Sequence, residues 1–256
     1  MKRMLLASAC SLACALVASH ALAAGIAFTG DGNFGNIAGK PYWSGDAALT
    51  VPIDSEHFSV ELNVGDRGAD SVHDFDAGGS FVWTDPDFRI AATAVYNQII
   101  ALPQPFHINV SETQLGIGGE FYATPWLTLS AHGGGIDGKA GGGYVGGEIK
   151  AYVLPDASIG GRILYASVSN SGFTVHDTDY GAVAEWLLGE DYPEAIPTSF
   201  TAAYDHIDLS AFGVHARTDA WTVGIKVYLD SEGSAPLVVR NRTGTLDTIG
   251  PIQLRF

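Results

Sequence analysis

Cysteine and positive charge are both scarce in this sequence. Its two cysteines, Cys10 and Cys14, lie close to the first residue, and it has 13 Lys and Arg residues against 28 Asp and Glu residues. The formal net charge is −15. A chain this acidic lacks the basic surface that binding to nucleic acid requires, so nucleic acid is excluded as a partner. Divalent cations and cationic solutes remain compatible with the charge.

The position of the cysteines follows from the character of the first residues. Lys2 and Arg3 precede an almost continuously apolar stretch over residues 4–17, and small residues follow at 21 and 23. This is the layout of a secretory signal peptide over residues 1–23, with cleavage expected after Ala23, or alternatively after Ala21 or Ala24. The remaining chain then has no cysteine, which excludes disulfides, thiolate nucleophiles and zinc–cysteine sites.

Long apolar runs are also lacking beyond this segment. No stretch reaches the roughly 18 apolar residues that a membrane-spanning helix needs, although 46% of the residues are hydrophobic and only 16% are charged. The apolar residues are instead spaced two apart, most clearly over residues 221–229, where Trp221, Val223 and Ile225 alternate with Thr222 and Gly224. Such alternation predicts a β-strand with one apolar face.

The same alternation predicts about twelve strands. They are expected over residues 26–34, 43–51, 58–65, 75–84, 88–97, 115–123, 127–132, 145–153, 158–168, 179–188, 198–206 and 221–229. Most have the length of about 9–11 residues that a tilted strand needs to cross a bilayer, whereas strands of globular proteins average about five or six. We therefore predict an all-β fold, a closed antiparallel transmembrane β-barrel of about 12 strands over residues 24–230. Ten or 14 strands and a soluble β-sandwich are the alternatives.

The connections between these strands differ in character. Short turns rich in Pro and Asp are predicted at residues 52–55, 84–87, 124–126 and 154–156, and a longer connection on the same side at 189–198. On the other side, longer polar or glycine-rich loops are expected at 65–74, 98–109, 133–143 and 167–177. Short turns at one rim and long loops at the other are typical of outer-membrane barrels, with both chain ends on the periplasmic side.

In its signal peptide and in strands such as residues 125–131 and 221–229, the chain resembles the small porin-like outer-membrane β-barrel proteins of proteobacteria. The resemblance implies location in the bacterial outer membrane, contact with its lipid and lipopolysaccharide, and assembly by the insertion machinery that reads a terminal aromatic residue. The chain does end at Phe256, but residues 231–256 alternate poorly. They are expected to form either a tail or partial strand pairing at 237–241 and 252–256.

The alternate strand positions that carry polar side chains are expected to face the lumen of the barrel. The predicted lumen-lining residues are Glu61, Arg89, Glu120, Glu148, Lys150, Arg162, Glu185 and Lys226. Charged side chains are costly on the lipid side, so their shared parity is what a barrel requires. They predict either a path for small hydrophilic solutes with mild cation preference or an ion-paired interior that conducts little.

The opposite parity carries large aromatic residues near strand ends. Aromatic residues at the membrane interface are predicted at Trp43, Trp83, Trp126, Trp186 and Trp221. Aromatic rings at these depths form the belts that border the apolar band of a membrane protein. Packing within the sheet of a soluble protein is the alternative interpretation.

Two further sets of polar residues, both assigned to loops, are candidates for hydrolysis or for binding Ca²⁺. His206, Asp208, Ser210 and His215, or Ser71, His73 and Asp74, contain the residue types of a hydrolase. Asp66, Asp70, Asp74 and Asp76, or Asp177 and Asp179, offer oxygen ligands for Ca²⁺. Neither set matches a known motif, so no catalytic residue, metal or cofactor is predicted. The primary prediction is a passive porin-like channel for small solutes that is not an enzyme; the alternatives are a non-conducting structural or adhesin-like barrel and an outer-membrane hydrolase.

Overall fold

A computed structural model describes residues 26–53, 57–70, 72–101, 108–170, 172–188, 196–229, 235–244 and 246. The predicted signal peptide lies outside these residues. Within them the chain forms twelve strands and one short helix: β1 (Ala27–Ile37), β2 (Lys40–Pro52), β3 (Phe58–Ala69), β4 (Val72–Asp85), β5 (Phe88–Ala101), β6 (Ile108–Thr124), β7 (Leu127–Gly138), β8 (Gly141–Leu154), β9 (Ala157–Asn170), β10 (Phe173–Leu187), β11 (Thr198–Ala211), β12 (Val214–Leu229) and α1 (Leu237–Thr243).

The strands form one closed antiparallel barrel, which confirms the predicted fold class and strand number. Each strand pairs with its neighbour in sequence, and β1 pairs with β12 from Phe28 opposite Leu229 to Ile37 opposite Ala220. Closure satisfies the backbone hydrogen-bonding groups that an open sheet would leave at its edges. Among the described residues, no helix has the length and hydropathy needed to cross a bilayer.

One rim of the barrel is as the sequence predicts. We call it the proline rim, because Pro52, Pro86, Pro125, Pro155 and Pro197 lie in or beside its connections. Proline cannot donate to a strand ladder, and it presets the backbone angle that a turn requires. The strand ends at this rim therefore fall close to their predicted positions, and the predicted long connection is present between β10 and β11.

At the opposite rim, the prediction of long loops is wrong. Residues assigned to loops at 65–74, 133–143 and 167–177 belong largely to strands β3, β4 and β7–β10, and the two glycine triplets of the supposed hairpin loop lie within β7 and β8. For the connection predicted at 98–109, β5 continues to Ala101 and β6 begins at Ile108, and residues 102–107 lie outside the described part.

Tight turns join β1 to β2 and β11 to β12 at the same rim. Ala38 and Gly39 have φ angles of 53° and 79°, and Phe212 and Gly213 have 53° and 75°. Two successive left-handed residues form the type I′ turn that joins twisted strands in two-residue hairpins. The strands thus continue past their apolar stretches into polar ones, where outward side chains pair with one another: Arg217 Nε lies 2.8 Å from Asp208 Oδ2, and His206 Nδ1 lies 2.8 Å from Asp219 Oδ1.

The two faces of the wall have different surroundings. Large apolar side chains at alternate positions are exposed on the outer face, among them Ile117 at 70%, Ile163 at 58% and Val223 at 53%. The intervening side chains on the inner face are mostly buried, polar ones included. This arrangement is inside-out relative to a water-soluble barrel and is typical of a wall surrounded by lipid.

Candidate functional site

The inner face of the barrel carries more acidic than basic side chains. Its acidic residues among the described ones are Asp31, Asp46, Glu61, Asp74, Asp76, Glu112, Glu120, Glu148, Asp177, Asp179, Glu185 and Asp205, and its basic residues are Arg67, Arg89, Lys150, Arg162 and Lys226. This set includes all eight residues predicted to line the lumen. An interior of this composition is polar and carries a net negative charge.

Towards the opposite rim, the largest charge cluster surrounds Arg67, whose side chain is only 4% exposed. Its Nη2 lies 2.6 Å from Asp46 Oδ1 on β2, and its Nη1 lies 2.6 Å from Asp76 Oδ2 and 3.4 Å from Asp74 Oδ2 on β4. Arg67 is not among the predicted lumen residues, because its position was predicted to belong to a loop. It shares the parity of Glu61, so extending the predicted strand to Ala69 would have found it.

A second ion pair crosses one strand. Arg162 on β9 donates from Nε and Nη2 to the two carboxylate oxygens of Asp205 on β11, at 2.8 and 2.7 Å. Both residues are in register with Gly181 of the intervening β10. A Cβ atom at Gly181 would clash with Asp205, so the absence of a side chain there leaves room for the side chains of Arg162 and Asp205 to meet.

At the proline rim the wall charges contact residues 235–244 and 246, which we call the lumen segment. Glu61 Oε2 accepts a hydrogen bond from the backbone N–H of Leu246 at 2.7 Å. Arg89 donates to Glu120 at 2.7 Å and to the backbone carbonyls of Asn241 and Gly244 at 2.9 and 2.7 Å. These wall residues are on β3, β5 and β6, and all are buried.

The opposite side of the wall contacts the same segment. Glu185 on β10 accepts hydrogen bonds from the Tyr228 hydroxyl, from Ser199 Oγ at 2.6 Å and from Asn241 Nδ2 at 3.4 Å. Leu237 of the segment packs with Leu187 and other inward side chains. A segment that contacts inward side chains of β3, β5 and β10 lies across the lumen. Residues 237–241, for which strand pairing was one expectation, are therefore helical and inside the barrel, whereas residues 252–256 lie outside the described part.

The three remaining predicted lumen residues lie beside this segment or near it. Lys150 Nζ is 3.5 Å from Glu148 Oε1 on the same strand, and both side chains are almost enclosed. A small cavity between them and the lumen segment is lined by Glu120, Thr128, Ser130, Glu148, Lys150, Tyr152 and Asn241. Lys226 is 5% exposed, and its Nζ lies 5.1 Å from the ring centroid of Tyr228.

The five tryptophans all project from the outer face. Trp83, Trp126 and Trp186 lie at the proline rim and are 36%, 56% and 63% exposed, while Trp221 is 54% exposed and Trp43 is half-buried. Trp43 and Trp221 lie further along the strands towards the opposite rim, at the level where exposed tyrosines such as Tyr204 also occur. Most of the large exposed apolar side chains lie between these two levels, whereas Phe212 and Val214 are exposed at the turn between β11 and β12.

The residues considered for hydrolysis are brought together only in part. His206 pairs with Asp219 rather than Asp208, and His215 Nδ1 lies 3.3 Å from Asp208 Oδ1. Ser210 is in register with His215, but within the described residues no hydrogen bond joins it to either histidine. In the second set, His73 and Asp74 project from opposite faces of β4, and Ser71 lies outside the described residues.

The acidic residues considered for Ca²⁺ do not converge. Asp74 and Asp76 are paired with Arg67 inside the barrel, Asp70 pairs with Lys40 at 3.2 Å at the opposite rim, and Asp66 has the outward parity. Asp177 and Asp179 are both buried on the inner face of β10. No group of three or more potential metal ligands occurs in the part of the chain that the structure describes.

The chain is similar to known proteins in structure, whereas its sequence matches none of those compared. No family model and no curated protein matches the chain. The KdgM porin aligns with 78% of this chain and 98% of its own at 12% identity and a TM-score of 0.53, and the NanC porin with 77% and 98% at 10% identity and 0.55. The chain has the fold of an outer-membrane porin. A second KdgM structure, with the same scores, is a complex with disordered oligogalacturonate.

Proposed function

We propose that this protein is a channel of the bacterial outer membrane for small hydrophilic solutes, with preference for cations. The observation that carries the proposal is the excess of acidic over basic side chains on the inner face of a closed barrel. Rings of carboxylates in a pore lower the energy of cations and raise that of anions. The outer face, with its apolar band between two levels of aromatic residues, supports the location in lipid.

The composition of the lumen argues against extending the ligand of the similar porin to this chain. Oligogalacturonate carries a carboxylate on each sugar, and KdgM was crystallised with it. In this barrel, acidic side chains outnumber basic ones on the inner face of the described strands, and Asp177, Asp179 and Glu112 are among those buried there. A polyanion would be repelled by such a wall, so the proposed solutes are neutral or cationic.

A non-conducting barrel with a structural or surface role is the second candidate. It is favoured by the burial of the inner side chains and by the lumen segment, which occupies the proline rim. The hydrolase has less support, because among the described residues no hydrogen bond joins Ser210 to a histidine.

Ion selectivity tests the proposal. In planar bilayers under a KCl gradient, Glu148→Gln should lower the preference for K⁺ over Cl⁻, because it removes a lumen charge outside the contacts that hold the lumen segment. Asp219→Asn removes a carboxylate from the outer face and is the matched control, expected to leave the reversal potential unchanged. An anion preference, or no current from a folded barrel whose lumen segment has been displaced, would refute the channel.

A further inference from the structure

We infer that the lumen segment is a removable plug, which closes the lumen at the proline rim and opens the channel when it is displaced. The inference rests on the proposed channel function. It concerns residues that contribute nothing to the wall, since β1 and β12 already close the barrel without them. Its support comes from the contacts at the two ends and the centre of the segment.

The start of the segment is held by apolar packing. Leu237 is fully buried and packs against Tyr152, Leu187 and Tyr228, which project inward from β8, β10 and β12. Its backbone N–H donates to the carbonyl of Pro155, in the turn between β8 and β9, at 3.0 Å. Residue 237 is thus seated against one side of the barrel at the level of the turns.

The centre of the segment is held by one arginine. Arg242 Nη2 donates to the backbone carbonyls of Thr124 and Leu127 at 2.7 and 3.2 Å, across the turn between β6 and β7. Its guanidinium lies 4.5 Å from the ring centroid of Tyr122, within the range of a cation–π interaction. A planar guanidinium with several fixed donors can make these contacts simultaneously, which a lysine cannot.

The end of the segment reaches the other side of the barrel. Arg89 on β5 binds the carbonyls of Asn241 and Gly244 at the C-terminal end of α1, where a helix carries partial negative charge. Leu246 packs against Val82 and Ala91, and its N–H is bound by Glu61. The segment therefore extends across the lumen from the β8–β10 side of the wall to the β3–β5 side.

The nature of these contacts indicates that the plug can leave. Within the described residues, its hydrogen bonds to the wall run almost entirely through side chains, and a single backbone–backbone bond, that of Leu237, joins it to a turn. A helix of seven residues is not stable by itself in water, so α1 depends on the wall for its form. Loss of a few wall contacts should release the segment while the strand ladder stays intact.

Single-channel recording of protein purified from outer membranes tests the inference. Arg242→Ala removes the central contacts, and Leu237→Asp places a charge in the apolar seat. Each should raise the open probability at least roughly tenfold. For Arg242→Ala, one hydrogen bond to a charged group is worth about that factor in an equilibrium; for Leu237→Asp, burial of a carboxylate among apolar side chains is at least as unfavourable. Arg217→Ala, an arginine on the outer face, is the matched control and should behave as the parent protein.

Trypsin gives a second readout that does not depend on current. Arg240 is 2% exposed, so in the parent protein cleavage after Arg240 or Arg242 should be slow. It should be faster in Arg242→Ala, at Arg240, and in Leu237→Asp, as measured by mass spectrometry. Heat-dependent migration on gels verifies that each barrel has folded.

Each outcome has a distinct meaning. Faster cleavage with more frequent opening supports the plug. Equal, steady conductance in the parent and both variants overturns the plug but leaves the channel. Faster cleavage without any current refutes the channel function, and therefore also the opening of a channel by displacement of the plug. Unchanged cleavage without current in the folded variants means that the segment is a fixed part of the fold, which overturns the inference.

Discussion

In the half of the lumen towards the opposite rim, buried charges pair within the wall, whereas at the proline rim they contact a segment from near the end of the chain. Arg67 illustrates the first arrangement, with carboxylates on the two neighbouring strands. Arg89 illustrates the second, because it pairs with Glu120 and also binds two carbonyls of the lumen segment. Both arginines are buried, yet only Arg89 has partners in the lumen segment, which is not part of the strand wall.

The difference shows how one barrel can combine a fixed and a removable interior. A charge paired across hydrogen-bonded strands keeps its partner as long as the sheet exists. A charge paired with a separate segment can lose that partner and become hydrated instead, because removing the segment admits water. Truncating an arginine should therefore cost the most stability where water cannot replace it.

The largest effect is expected from Arg67→Ala. It leaves Asp46, Asp74 and Asp76 close together without their cation, and breaking a buried ion pair typically costs about 3–5 kcal/mol. Urea unfolding of the refolded protein, followed by tryptophan fluorescence, measures the free energy of unfolding. Arg67→Lys should recover only part of the loss, since an ammonium group cannot match the fork of a guanidinium. Equal stability of Arg67→Ala and the parent would show that water already reaches this cluster.

A smaller effect is expected from Arg89→Ala. The free energy of unfolding should fall by about 1–3 kcal/mol, the usual effect of losing hydrogen bonds to a charged group, because displacement of the lumen segment lets water solvate Glu120. Cleavage by trypsin after Arg242 should become faster at the same time, which Arg67→Ala should not cause. A loss as large as that of Arg67→Ala, with the segment still protected, would remove the distinction between the two halves.

Much of this fold could be predicted because a strand in a lipid-facing wall must alternate. All twelve strands lie where the alternation places them, and the proline rim is marked by residues such as Pro86 and Pro125 that stop a ladder. The opposite rim could not be predicted in the same way. Beyond the apolar band outward positions are polar, so β6 and β12 each begin seven residues before their predicted starts, at Ile108 and Val214. The turn at Phe212 lacks the Asn-Gly or Asp-Gly signal of a type I′ turn.

The sequence could predict which residues lie on the inner face of the wall, but not which contacts they make there. Parity places Glu61, Glu120 and Glu185 on the same side of the wall as Arg67, but it does not say what each charge contacts. That depends on the lumen segment, which is distant in sequence and too short for a periodic helical pattern. Pro236 before α1 and Gly244 after it are the signals that could have indicated a short helix there.

The smallest effect is expected from Arg217→Ala, which extends the comparison to the outer face. Arg217 Nε lies 2.8 Å from Asp208 Oδ2, as short a contact as those inside the barrel, but its side chain is 66% exposed. Water solvates both partners after truncation, and exposed ion pairs contribute little to stability. The urea midpoint should therefore be unchanged, in detergent and in lipid vesicles alike. A loss of stability seen only in vesicles that contain lipopolysaccharide would instead mean that this outer surface of β11 and β12 is covered by saccharide. The exterior ion pair would then be buried by a partner and would contribute to stability as an ion pair inside the barrel does.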